Sequence, residues 1–262
     1  MAGNEQPCLC GDVMELFSKA ARDMGFELMP VHLEMFRAYY HELVSWNRRF
    51  NLTAITEYEH VQIRHFLDSL TCLLALGVYR NGRWWPGVPA QGMRVLDVGS
   101  GAGFPGLPLK ILYPHLALTL LEATGKKTEF LEHIVTHLGL EKVTVIRGRA
   151  EDLGQDEAHR ESYDLVLARA VADLTVLVEY FLPLCHLGAR CVAQKGSAAH
   201  EELTAAHYAI SLLGGEMHYV IPVELPGLAE TRHLVIIDKV ARTPQKYPRR
   251  PGMPGKRPLL GP

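Results

Sequence analysis

Asp97-Val98-Gly99-Ser100-Gly101-Ala102-Gly103-Phe104-Pro105-Gly106 ends a short apolar run and opens a helix-length segment. Glycines in that setting let a ligand approach the backbone, and the helix start beyond them offers unpaired N–H donors. Pro105 suits a first helical turn, where no N–H is needed. Gly101, Gly103 and Gly106 alone are a weak pattern; between a strand and a helix of a βαβ unit they read as a ligand site. Glu122 falls at the end of the next apolar run, where an acid holds ribose hydroxyls of either NAD or S-adenosylmethionine. Asp97 tips the choice, because a carboxylate two residues before the first glycine attracts a sulfonium and an ammonium but repels a pyrophosphate. The run therefore favours S-adenosylmethionine, with Asp97 capping its own loop as the plainer alternative.

Two further positions face the same edge. Ala150-Glu151-Asp152 follows the third strand, where a backbone N–H and an acidic side chain would meet an adenine ring, although either acid could equally cap the next helix. Arg169 closes the fourth strand, at the carboxyl edge where open α/β sheets bind ligands. It can anchor a substrate phosphate, a guanine O6 or the cofactor carboxylate, or instead pair with Asp173 four residues on. Lys195 closes the fifth strand and could add a second cation for RNA phosphate. There is no Asn/Asp-Pro-Pro-aromatic element for an exocyclic amine, and the only Pro-Cys, Pro7-Cys8, lies in the N-terminal tail, away from this edge. Pyrimidine attack through a covalent bond is thus disfavoured. A guanine N7 carries a free lone pair and needs no general base, only in-line placement.

The elements that must position these residues follow from the apolar pattern. MRVLDV, LALTLLE, KVTVIRG, YDLVLARA and ARCVAQKG read as strands, separated by helix-length stretches at 104–114, 124–139 and 170–187. GGEMHYVIPVEL and TRHLVIIDKV are divided by too few residues for a helical crossover and should pair antiparallel. The expected fold over 93–240 is α/β: five parallel strands wound with helices, and a terminal hairpin. Before it, 31–92 forms a small helical region, with Leu33, Phe36, Tyr40, Leu43 and Val44 on one helix face and a further helix from about Tyr58 to Leu76. The Gly- and Pro-rich segment 81–93 marks the boundary, and 1–30 is a partly helical extension.

Residues 241–262 are basic and proline-rich. Arg242, Lys246, Arg249, Arg250, Lys256 and Arg257 meet no acid there, so with −2 overall the remaining residues sum to −8. The prolines exclude a regular helix and leave an extended cationic segment, either a solubilising disordered end or a strap for a polyanion. At 262 residues and 48% apolar, the chain suits one large domain with an appendage. No uncharged stretch reaches the roughly 18 residues of a bilayer helix, and MAGNEQPCLCGD lacks the features of a signal peptide. A cytoplasmic protein, acting as a monomer away from membranes, is expected. Its five cysteines form no CxxC pair, so reduced thiols and no metal site are expected.

Several motifs in order resemble a known family. Trp46-Asn47 is followed by Asn51-Leu52-Thr53-Ala54-Ile55, Arg64-His65-Phe66-Leu67-Asp68-Ser69-Leu70 and the Asp97–Pro108 loop. Lys126-Lys127 with Phe130-Leu131, Arg169-Ala170, Lys195-Gly196, Arg232-His233-Leu234 and Tyr247-Pro248-Arg249-Arg250-Pro251-Gly252 complete the set. Over nearly all of 30–260 the chain resembles the bacterial 16S rRNA guanine-N7 methyltransferases of the RsmG type, also called glucose-inhibited division protein B. That resemblance implies S-adenosylmethionine as cofactor and a guanine in the 530 loop of 16S rRNA, on naked rRNA or the small ribosomal subunit, as target. It implies a Rossmann-like class I methyltransferase domain in which Gly99, Phe104, Glu122, Ala123, Thr124, Ala150, Glu151 and Arg169 hold the cofactor, to which the loop's own reading adds Asp97, Gly101 and Gly103. Arg169 would position the reacting groups, and RNA contacts would fall to Arg64, Lys195, Arg249 and Arg250.

Overall fold

The computed structural model describes residues 14–261; Cys8, Cys10 and the start of the 1–30 extension lie outside the described residues. Helices Glu15–Asp23 (α1) and Pro30–Phe50 (α2) come first. Pro30 opens α2, as a residue needing no N–H donor should, and Asn51 closes it in the left-handed conformation at φ 49°. Its buried stripe is His32, Phe36, Tyr39 and Leu43, one position away from the predicted Tyr40. The passage from Tyr58 to Leu76 is helical throughout, as the spacing predicts, but its winding changes. Tyr58–Val61 (α3) gives way to a π-turn at Gln62–Leu67, an α-turn at Asp68–Leu70 (α4) and a 3-10 turn at Thr71–Leu76. This rewinding buries Gln62, His65 and Asp68 together with the apolar residues around them.

The segment taken as a plain boundary instead holds part of a hairpin, Val78–Arg80 (β1) against Arg83–Trp85 (β2), turned by Asn81-Gly82 at positive φ. The sheet then builds from Arg94–Val98 (β3), Ala117–Glu122 (β4), Val143–Arg147 (β5), Tyr163–Arg169 (β6), Cys185–Lys195 (β7), Gly215–Val223 (β8) and Arg232–Lys239 (β9). Its order is β5-β4-β3-β6-β7-β9-β8, with the first five parallel and β9 antiparallel to both neighbours, the expected terminal hairpin. The crossovers are Gly106–Leu112 (α5), Gly125–His137 (α6), Ala150–Leu153 (α7), Leu174–Phe181 (α8) and Ala199–Leu212 (α9). The predicted 170–187 helix ends early because Pro183 has no N–H to continue its hydrogen bonds, and β7 already starts at Cys185.

Strands covered on both faces must be apolar on both, and alternate residues divide between two cores. Val95, Leu118, Leu120, Leu165 and Leu167 face one core, which also holds Phe17, Phe36, Tyr39 and Phe66 of the N-terminal helices. Leu96, Val98, Val166 and Ala168 face the other, beneath α8 and α9. The N-terminal helices thus share a core with the sheet.

The C-terminal segment is neither a loose end nor a free strap. Arg160 donates to the carbonyls of Gly154, Thr243, Pro244 and Tyr247, and Gln155 donates to that of Pro248. Thr243 N–H finds Glu161, Gly252 N–H finds Glu151, and Met253–Lys256 (α10) follows. These side-chain contacts supply the hydrogen bonds that a proline-rich backbone cannot make with itself. Among the described residues no helix is long and apolar enough to cross a membrane.

Candidate active site

The glycine loop leaves β3 and reverses over its first three glycines, at φ 71° for Gly99, 59° for Gly101 and 95° for Gly103. At Gly103 even a methyl group would collide, 2.4 Å from Leu107 and 2.5 Å from the Tyr39 hydroxyl, so α2 packs too closely for any other residue. Tyr39 donates from that hydroxyl to the Ala102 carbonyl, a direct bond from the N-terminal region to the loop. Below, Asp97 is wholly buried and accepts from Gly106 N–H at 2.9 Å. Its other oxygen is buried with no hydrogen-bond partner among the described residues, and burial pushes its carboxyl up to about 7 despite the Gly106 bond and the Arg169 charge. Asp97 thus caps its own loop through one oxygen and holds the other unpaired beneath the turn.

Beyond the loop lies a cavity of about 310 Å³ at the carboxyl ends of β3, β4 and β6, walled by Gly99, Glu122, Ala123, Ala150, Glu151 and Val171 among others. Glu122 joins loop to strand, accepting Gly101 N–H at 2.9 Å on one oxygen and Thr124 N–H at 2.8 Å on the other. Glu151 is held from outside by Gly252 N–H at 2.9 Å, so the C-terminal segment braces the cavity wall.

A second cavity, about 400 Å³, adjoins the first at Ala170, which lines both. Arg64, His65, Asp68, Arg169, Gln194 and Arg232 line it with Lys195 and Glu202. Arg169 donates to the Arg64 carbonyl at 3.2 Å and to Asp68 Oδ2 at 3.3 Å, not to Asp173, and its guanidinium carbon sits 5.0 Å from the Phe104 ring centre. Its other terminal nitrogen meets His65 Nδ1 at 3.4 Å. The same Nδ1 lies 3.1 Å from the Arg64 carbonyl oxygen, and Nε2 lies 2.9 Å from Thr53 Oγ1. Burial, then the Arg169 charge, hold His65 down to about 3, so the ring is neutral. It stacks on Phe104 at 4.5 Å and 18°. Thr53 N–H in turn finds Asn47 Oδ1 at 2.8 Å, and Gln194 donates to the Asp68 carbonyl at 2.7 Å. Burial raises the Asp68 carboxyl, opposed by Arg169 and Arg232.

The N-terminal motifs and the strand ends thus meet in one hydrogen-bonded chain from Asn47 through Thr53 and His65 to Arg169. His65, Asp68, Thr53, Gln194 and Tyr39 were missing from the site expected on sequence, since no periodicity distinguishes an inward histidine from a core one. Two cations expected to meet RNA are already engaged. Lys195 is nearly buried and pairs with Glu202 at 2.7 Å, and Arg249 makes a two-pronged contact with the buried Glu179, at 2.6 and 2.9 Å. In both cases an acid of the fold pairs with the charge. Arg250 remains exposed and Arg64 half-exposed on the second cavity.

A seven-stranded sheet in this order, with a glycine loop after the inner strand β3 and an acid ending its neighbour β4, defines a class I methyltransferase fold. A crystal structure of a mutant of MtNAS matches it at a TM-score of 0.50 and 16% identity, over 86% of this chain and 82% of that one. The family model described as rRNA small subunit methyltransferase G matches residues 32–235. Ribosomal RNA small subunit methyltransferase G of Roseiflexus castenholzii is 51% identical, over 94% of this chain and 100% of its own. The protein of the same name from Lactobacillus delbrueckii subsp. bulgaricus is 46% identical, over 94% and 99%. The chain belongs to the rRNA small subunit methyltransferase G family.

Proposed function

We propose that the chain transfers the methyl group of S-adenosylmethionine to N7 of a guanine in the 530 loop of bacterial 16S rRNA, in the cytoplasm. The observation that carries this reading is the pair of cavities meeting at Ala170, one walled by glycine with Glu122 and Glu151, the other lined by Arg64, Arg169 and Arg232. The first fits the cofactor by its donor set. A carboxylate offers about four lone-pair sites, and the loop uses two of those on Glu122, leaving acceptors for a ribose diol. Gly99 and Ala123 bring backbone to the wall, while Ala150 and the braced Glu151 would meet the adenine. S-adenosylmethionine supplies a methyl on a sulfonium, an electrophile that needs no further activation.

The chain then has no proton to remove, because N7 is already a free base; its task is alignment. Arg169 is tied down by the Arg64 carbonyl, Asp68 and His65, so its remaining donors present a fixed fork suited to the O6 and phosphate oxygens of a guanine nucleotide. Neutral His65 orients that fork without adding a second repelling charge. Buried Phe104 packs against both His65 and Arg169 and helps fix their orientation. Acceptor transcripts in which guanine is replaced by 7-deazaguanine test the atom assignment. They should take up no methyl where normal transcripts or subunits do; equal uptake would exclude N7.

A further inference from the structure

We propose that Glu42, His133 and His137 form a binding site for a divalent transition-metal ion that ties α2 to α6. His133 and His137 stand one helical turn apart on α6, with their rings stacked at 5.7 Å. From α2, across 91 residues of sequence, Glu42 Oε2 reaches His133 Nε2 at 2.6 Å. One ligand atom from each of the three lies within 4.8 Å of the others. Small side-chain rotations bring such atoms to the roughly 3.3 Å separations around a tetrahedral ion with bonds of about 2.0 Å.

The central ligand is already held in place. Trp46 packs against the His133 ring at 4.9 Å and against Phe130 at 5.6 Å, so little freedom remains to be lost on binding. Glu42 and His133 are half-buried and His137 is exposed, which gives an ion access from solvent and leaves a coordination position for water. Two imidazoles and one carboxylate suit zinc, nickel or copper; magnesium and calcium prefer oxygen alone. The three described thiols, Cys72, Cys185 and Cys191, are buried and do not compete. None of the three ligands lines either cavity of the active site. The ion would act through the scaffold: α2 carries Tyr39 and Asn47, which reach the glycine loop and the Arg169 network, and α6 begins directly after Thr124.

Calorimetric titration of the full chain with zinc chloride, beside His137→Gln and Glu42→Gln, tests the assignment. We expect one equivalent bound with micromolar affinity, a raised melting temperature, and about tenfold or greater weakening in each variant. His137 is exposed, so its variant should melt like the wild type without metal, which separates lost binding from lost folding. Copper should also quench Trp46 fluorescence, and Trp46→Phe should remove that quenching while Trp84 and Trp85 remain. No saturable zinc binding would overturn the proposal, as would equal binding by wild type and His137→Gln, which would put the ion elsewhere.

Discussion

Arg169 is legible in the sequence as a strand-end cation, but its setting is not. Its partner is Asp68, 101 residues upstream, and its orientation depends on a histidine whose neutrality comes from burial. Replacing it with alanine should leave the fold intact and lower kcat/KM more than a hundredfold, on the order of 3 kcal/mol, because the lost contact is charge-assisted and close to the reacting atoms. Steady-state methylation with a circular-dichroism control checks this, and near-normal turnover would remove Arg169 from the mechanism. Two other residues shape the response to pH. Held at about 3 against an ordinary 6.5, His65 is charged in the unfolded chain but neutral in the fold between those values, so its contribution to stability rises with pH there. Asp97, raised to about 7 from an ordinary 3.8, does the reverse: protonated in the fold, it contributes stability present below 3.8 and lost as pH rises to 7. The slopes oppose each other between about 4 and 6.5. Asp97→Asn should therefore expose the rising one, steepening stability against pH by up to about 1.4 kcal/mol per unit relative to wild type. Parallel curves from urea titrations would show that Asp97 titrates as an ordinary carboxylate.

At the scale of elements, periodicity located the strands of the main sheet and placed the passage from Tyr58 to Leu76 within a residue of its observed ends. It could not show the π-turn at Gln62–Leu67, since helical windings of different pitch share the same apolar spacing over one or two turns. The hairpin at Asn81-Gly82 did carry a local signal, submerged in a stretch rich in glycine and proline. The C-terminal segment misled most, because composition reports charge and not the partner of the charge. Glu179 is fully buried and depends on Arg249, so Arg249→Ala should cost about 3 kcal/mol by stranding a carboxylate in the core. Adding Glu179→Gln should recover part of that loss. Chemical denaturation checks both; an Arg249→Ala variant of unchanged stability that had lost RNA affinity would assign this residue to the RNA interface and not to the core pair.

Across the whole molecule, the site exists only once distant pieces of chain share a core. Asn47, His65 and Asp68 come from the N-terminal helices and Thr53 from the loop between them, Gly99 to Glu122 from the first βαβ unit, Arg169 and Gln194 from later strands, and Gly252 from the end of the chain. Only the order of motifs, read as a family resemblance, anticipated that these belong together; the contacts among them depend on topology that spacing does not encode. Because the end of the chain fastens to Arg160, Glu161, Glu179 and Glu151, truncation after Val240 should lower the melting temperature as well as activity. A truncated chain of unchanged melting temperature would show those bonds to be dispensable, while Arg250→Ala isolates any contact with RNA. The most direct measurement is transfer of a labelled methyl group from S-adenosylmethionine to small ribosomal subunits lacking N7 methylation in the 530 loop, followed by mapping of the modified base. The account predicts one methyl, on N7 of a guanine in that loop, with transfer abolished or nearly so by Arg169→Ala. Label at another base, or no transfer by a chain that binds S-adenosylmethionine, would contradict it.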